Sequence, residues 1–105
     1  MSSINSYKFI VSGRVQGVYY RKTINENAQK LNFSGYVKNL PNKDVEACIS
    51  CNSDDLDKFI TILKNGSSNS EVTNIEQLTT NELFSGKFEI RYSIKSISRT
   101  RIPIK

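Results

Sequence analysis

Hydrophobic positions change period several times along the chain, and each change marks a new element. Tyr7, Phe9 and Val11 alternate with Lys8, Ile10 and Ser12, the two-residue repeat of a strand with one buried face, and the run closes at Gly13. From Arg21 to Leu31 the spacing becomes helical: Ile24, Ala28 and Leu31 fall at i, i+4 and i+7, with Lys22, Glu26 and Lys30 outside. Gly35 to Leu40 reads as a strand, Pro41-Asn42-Lys43-Asp44 as a turn, and Val45 to Cys51 as the returning strand of a hairpin. Asn52 and Ser53 suit a helix N-cap, and Asp54, Asp55 and Asp57 suit its first turn. Leu56, Phe59, Ile60 and Leu63 form a buried stripe, and Asn65-Gly66 ends the helix. Ser67 to Ser70 is a loop, Val72 to Thr79 a less regular strand, and Phe88 to Tyr92 a short alternating one.

The order strand, helix, strand, strand, helix, strand, with a short final strand, predicts an α+β fold. It is the ferredoxin-like, split βαβ arrangement, an antiparallel sheet with two helices on one face. With 105 residues the chain has room for one core, which we place in residues 1–92, leaving 93–105 as an extension. No uncharged apolar stretch approaches the roughly 18 residues of a membrane span. Met1 to Ser6 has neither the basic nor the apolar region of a secretory leader, so a cytoplasmic location is expected.

Fifteen basic residues face ten acidic ones, a net charge of +5. Four of the basic residues, Lys95, Arg99, Arg101 and Lys105, lie in the last thirteen positions, which hold no acid. The body of the chain is therefore almost neutral, and the basic character belongs to the extension. A nucleic-acid face would carry its charge on the folded domain among exposed aromatics, and the strand Val45 to Cys51 lacks the basic-Gly-aromatic pattern of an RNA-binding sheet. No nucleic-acid partner is expected.

There is no histidine, which removes Ser-His-Asp and Cys-His catalysis and imidazole metal ligation together. The two cysteines form Cys48-Ile49-Ser50-Cys51, a spacing used elsewhere for redox pairs and half zinc sites. Three residues apart on a strand, they point to opposite faces and cannot cooperate. Asp44, Asp54, Asp55 and Asp57 form no recognised ligand loop, so neither a metal nor a cofactor is expected.

The chemistry concentrates in Gly13-Arg14-Val15-Gln16-Gly17-Val18-Tyr19-Tyr20-Arg21, a loop that runs from the first strand into a helix N-terminus. Glycines let successive N–H groups converge, and a helix start adds unpaired donors and a positive dipole end. Arg21 stands where acidic residues are usual. A phosphate held between its guanidinium and the loop amides accounts for it. A plain tight turn with a solvated arginine accounts for it too, and the loop alone leaves both open. It contains neither a nucleotide P-loop nor G-x-G-x-x-G.

Gly13-x-Val15-Gln16-Gly17-Val18-x-Tyr20-Arg21, then Ala28 and Leu31, then Gly35-Tyr36-Val37-x-Asn39, Val45-Glu46-Ala47 and Phe88-x-Ile90 together resemble the acylphosphatase family signature across residues 7 to 92. The resemblance implies hydrolysis of acyl phosphates to a carboxylate and inorganic phosphate, the latter both product and inhibitor, by a monomer needing no metal. It implies phosphate binding by Arg14, Val15, Gln16, Gly17, Val18, Tyr19, Tyr20 and Arg21. The catalytic roles fall on Arg21, which holds phosphate, and Asn39, which places the attacking water. Read without the family, Asn39 could simply end its strand. Two alternatives remain in view: a non-catalytic or carbamoyl-phosphate-handling domain of the same family, and an RNA-binding ferredoxin-like module.

Three departures from the family pattern stand out. Gly66-Ser67 replaces the common Gly-Pro and Ser70 a common alanine, so the connection after the second helix is expected to be looser without touching the site. Asn42-Lys43 replaces the usual Asp-Gly of the hairpin. The extension 93–105, with Ile94, Ile97, Ile102 and Ile104, passes the usual family end; it is expected to be dispensable for folding.

Overall fold

The computed structural model describes residues 4–92 of the chain. The expectations for 93–105, including its four isoleucines, lie outside the described residues. Elements follow in the order β1 (Ile4–Arg14), α1 (Tyr20–Lys30), β2 (Ser34–Asn39), β3 (Val45–Asn52), α2 (Leu56–Asn65), β4 (Glu71–Thr79) and β5 (Glu89–Ile90). The strands form one sheet in the order β4-β1-β3-β2-β5. The first four pair antiparallel as expected, but β5 runs parallel to β2. The sheet is therefore mixed, a correction to the fully antiparallel expectation; alternation alone carries no strand direction.

Register assigns each strand its inner face. Phe9 opposes Ala47, Val11 opposes Val45, and Val37 opposes Ala47, and all five are fully buried with Ile24 and Ala28 of α1 and Phe59 and Leu63 of α2. Phe59 lies at the centre, its ring 5.7 Å from Phe9, 5.4 Å from Phe33 and 5.9 Å from Phe88. Such aromatic packing combines large apolar burial with edge-to-face attraction.

The differences from the sequence reading are local. Leu31, expected on the buried stripe of α1, is half exposed at the helix C-terminus, and Tyr20 opens the stripe instead. α2 starts after a 3₁₀ turn at Ser53–Asp55, with no capping bond from the Asn52 side chain. β1 runs on through Gly13, where the pairing with β4 shifts register. Gly13 sits at φ 124°, and a Cβ there would lie 2.1 Å from the Glu71 carbonyl oxygen, so the bulge requires glycine.

The two thiols separate as the alternation requires. Cys51 joins the core under the helices, while Cys48 points to the other face and donates to the Tyr36 hydroxyl at 3.2 Å. On that outer face Tyr36 donates to the Glu46 carboxylate, which also lies 4.0 Å from Lys8 and 3.7 Å from Lys38. Phe84 and the Arg91 guanidinium, 4.2 Å from the ring centroid, cover Tyr36, leaving no bare aromatic platform at Tyr36 for a nucleic-acid base.

Candidate active site

Two buried side chains pin the ends of the loop between β1 and α1. Val15 and Tyr20 are each 1% exposed, and the Tyr20 hydroxyl donates to the Leu63 carbonyl of α2 at 2.7 Å. Burial pushes the Tyr20 pKa upward, so the phenol stays neutral and this hydrogen bond holds throughout the physiological range.

Between the anchors the backbone curls. Gly17 has φ 73° and Tyr19 φ 63°, separated by Val18 with ordinary negative φ. Alternation of left- and right-handed residues turns neighbouring N–H groups toward a common point. Thr23 is the first residue whose N–H finds a helical acceptor, the Tyr19 carbonyl at 3.0 Å. Among the described residues, the N–H groups from Gln16 to Lys22 meet no protein acceptor. These orphan donors create the electropositive concavity at the helix start.

Arg21 is the second residue of α1, whose first turn has no acid. Its guanidinium lies over the Tyr92 ring, 5.1 Å from the centroid. Among the described residues it has no carboxylate partner, whereas its neighbour Lys22 pairs with Glu26 at 3.2 Å. Val15, Gly17, Tyr19, Tyr20, Arg21 and Lys22 line a cleft of about 620 Å³ together with Ile90 and Tyr92.

The structure sorts the candidate residues into different positions. Val15, Gly17, Tyr19, Tyr20 and Arg21 line the cleft; Arg14, Gln16, Val18 and Asn39 do not contribute to its wall. Arg14 is exposed at the end of β1, opposite Glu71. The Gln16 side chain turns away and donates to the carbonyls of Leu40 and Asp44 at 2.9 and 2.8 Å, which leaves only its backbone for an anion. Asn39 ends β2 in register with Val45, on the face shared by Val37. Its Oδ1 is buried and has no hydrogen-bond partner among the described residues.

Ser67 is the residue the sequence reading set aside from the site. Its hydroxyl donates to the Val18 carbonyl at 2.6 Å. The turn that carries it is closed by Ser67 N–H to Ser70 Oγ at 2.8 Å, Ser70 Oγ–H to the Ser67 carbonyl at 2.8 Å, and Ser70 N–H to the same carbonyl at 3.1 Å. The expectation that these changes leave the site untouched is thus corrected, because Ser67 bonds to the Val18 carbonyl of the loop. Lys22, Ile90 and Tyr92 were also not singled out as site residues. Only the proximity of Lys22 to Arg21 was visible in one dimension.

No group of three or more Cys, Asp or Glu side chains placed to hold a metal occurs among the described residues. No helix among them is long and apolar enough to cross a membrane.

Comparison with known proteins places this geometry in a family. The acylphosphatase family model matches residues 7–90. The chain belongs to the acylphosphatase family. It is 39% identical to the acylphosphatase of Alkalilimnicola ehrlichii over 71 residues, 68% of this chain and 80% of that one. Its fold superposes on the crystal structure of acylphosphatase from Bacillus subtilis with a TM-score of 0.77 at 35% identity, covering 86% of this chain and 100% of that one. T. kodakarensis HypF is also similar, at 28% identity and a TM-score of 0.71, but the match covers 87% of this chain and only 12% of that protein.

Proposed function

We propose that this acylphosphatase holds the phosphoryl group of an acyl phosphate between Arg21 and the amides of residues 15–21, and that Asn39 places the water that attacks it. The observation that carries the reading is the run of loop N–H groups without protein acceptors beside Arg21, which has no carboxylate partner among the described residues. Asn39 is tied to the loop through its neighbour Leu40, whose carbonyl accepts from Gln16 Nε2 at 2.9 Å, and the family resemblance gives it the water.

An acyl phosphate is a mixed anhydride with a good leaving group, so its hydrolysis asks for charge neutralisation and alignment more than for a strong base. Arg21 supplies a planar two-point grip, and the orphan amides supply directed donors that need no reorganisation. Asn39 orients the water without taking its proton; a phosphate oxygen accepts it. The water oxygen bonds to phosphorus as the bond to the acyl oxygen breaks, releasing carboxylate and inorganic phosphate. Charge on the transferring group is met by the chain's own donors, so the reading requires no metal, and a single copy carries every residue it uses.

The test is phosphate release from acetyl phosphate by the full chain with and without excess chelator. Equal turnover in both is expected. Turnover abolished by chelator and restored by magnesium would overturn the metal-free mechanism, and absence of turnover in either would overturn the reading.

A further inference from the structure

We propose that Ser67 is a positioning residue for catalysis, holding the peptide between Val18 and Tyr19 so that the Tyr19 N–H faces the phosphate. The inference rests on the reading of the 15–21 loop as the phosphate site.

A trans peptide is planar, with its C=O and N–H pointing in opposite directions. The Ser67 hydroxyl, 49 residues away in sequence, donates to the Val18 carbonyl at 2.6 Å. Fixing that oxygen toward the turn between α2 and β4 fixes the Tyr19 N–H toward the other side, where Tyr19 lines the cleft.

This peptide has a reason to turn over. Tyr19 is a non-glycine residue at φ 63°, three-quarters exposed. Rotating the 18–19 peptide changes the φ of Tyr19 and takes it out of the left-handed region, which L side chains occupy at a cost. The rotation would also swing the Val18 carbonyl toward the bound anion, replacing a donor with a negative dipole. Ser67 opposes it, because the rotated peptide leaves the hydroxyl without its acceptor.

Ser67 is itself held firmly enough for this task. The contacts with Ser70 orient it from behind. Gly66, at φ 52°, brings the turn against the loop: a Cβ there would lie 2.8 Å from the Tyr20 ring and 2.4 Å from Ser70 Oγ.

The test compares wild type, Ser67→Ala and Ser67→Thr in the full chain. Inorganic phosphate affinity is measured by calorimetry, acetyl phosphate kinetics in parallel, and the Val18 carbonyl ¹³C and Tyr19 amide ¹⁵N resonances report the peptide. Ser67→Ala should weaken phosphate binding and lower kcat/KM by about tenfold, the loss of one charge-assisted bond, and shift both resonances. Ser67→Thr, which keeps the hydroxyl, should recover most of the loss. Unchanged affinity and resonances in a folded Ser67→Ala, as judged by its unfolding midpoint, would overturn the role of Ser67 alone. If Ser67→Ala unfolds, failure of Ser67→Thr to bind phosphate as wild type does would overturn it. A wild-type protein that binds no phosphate would overturn the loop reading and this inference with it.

Discussion

The side chain of Gln16 turns from the cleft to the β2–β3 connection, its Nε2 donating to the Leu40 carbonyl at 2.9 Å and to that of Asp44 at 2.8 Å. The loop between β1 and α1 and the residue after Asn39 are thereby tied together, although 24 positions separate them in sequence. Two neutral hydrogen bonds contribute about 1 kcal/mol each. Their larger effect is on alignment, since a misplacement near 1 Å can cost a hundredfold in rate.

Gln16→Ala should therefore lower kcat for acetyl phosphate by about tenfold or more while phosphate affinity falls much less, because the amides and Arg21 remain. Steady-state kinetics beside calorimetry on the folded variant checks this. Equal losses in affinity and turnover would show that Gln16 supports the phosphate loop alone.

Lys43 occupies the left-handed region at φ 79° in the turn between β2 and β3. The turn is otherwise well bonded: the Leu40 N–H donates to the Asp44 carbonyl at 2.8 Å and the Asp44 N–H to Asn42 Oδ1 at 3.0 Å. Lys43→Gly should raise stability by about 1 kcal/mol, removing the side-chain clash of that conformation. Denaturant unfolding measures it, and a loss of stability would show that glycine's extra freedom in the unfolded chain outweighs the relief.

The same residues show why some features were legible in sequence and others were not. Alternation at Tyr7, Phe9 and Val11 and helical spacing at Ile24 and Ala28 are local signals, and the elements they mark lie where expected. Leu31 satisfied the helical period yet is exposed, because α1 ends one residue earlier and Phe33, in the following loop, occupies the core. The parallel pairing of β5 depends on where residues 80–88 carry the chain, which no periodicity encodes. Arg21 stood out because a cation at a helix start breaks a local rule. Gln16 and Ser67 break none: their hydrogen bonds reach residues 24 to 49 positions away.

The thiols should resist alkylation at neutral pH in the folded protein. Both are buried, and burial pushes both pKa values up, that of Cys51 to about 11 with a further push from Asp55. A neutral, enclosed thiol is a poor nucleophile. Iodoacetamide labelling followed by mass determination should show modification only after denaturation.

Those shifts also fix a pH dependence. Cys51 ionises at about 11 in the folded chain but near 8.5 when unfolded, so the unfolded state loses its proton first as pH rises. Stability is therefore fully present below about pH 8.5 and falls between there and about 11. Cys51→Ala should flatten that part of the curve in urea unfolding measured from pH 8 to 11. An unchanged slope would assign the alkaline loss to Tyr20 and Tyr36, whose pKa values burial also raises.

Arg21→Lys should recover little of the activity lost in Arg21→Ala, because a point charge lacks the two-point fork of guanidinium. Activity near wild type in Arg21→Lys would reduce the role of Arg21 to net charge.

The central claim is that Arg21 holds the phosphate and Asn39 the water. Calorimetric phosphate affinity set beside turnover, for Arg21→Ala and Asn39→Ala with wild-type unfolding curves, tests it directly. Arg21→Ala is expected to lose both phosphate binding and turnover, while Asn39→Ala is expected to bind phosphate as wild type does and to turn over about a hundredfold more slowly or worse. Near-normal turnover in Asn39→Ala, or near-normal phosphate binding in Arg21→Ala, would contradict it.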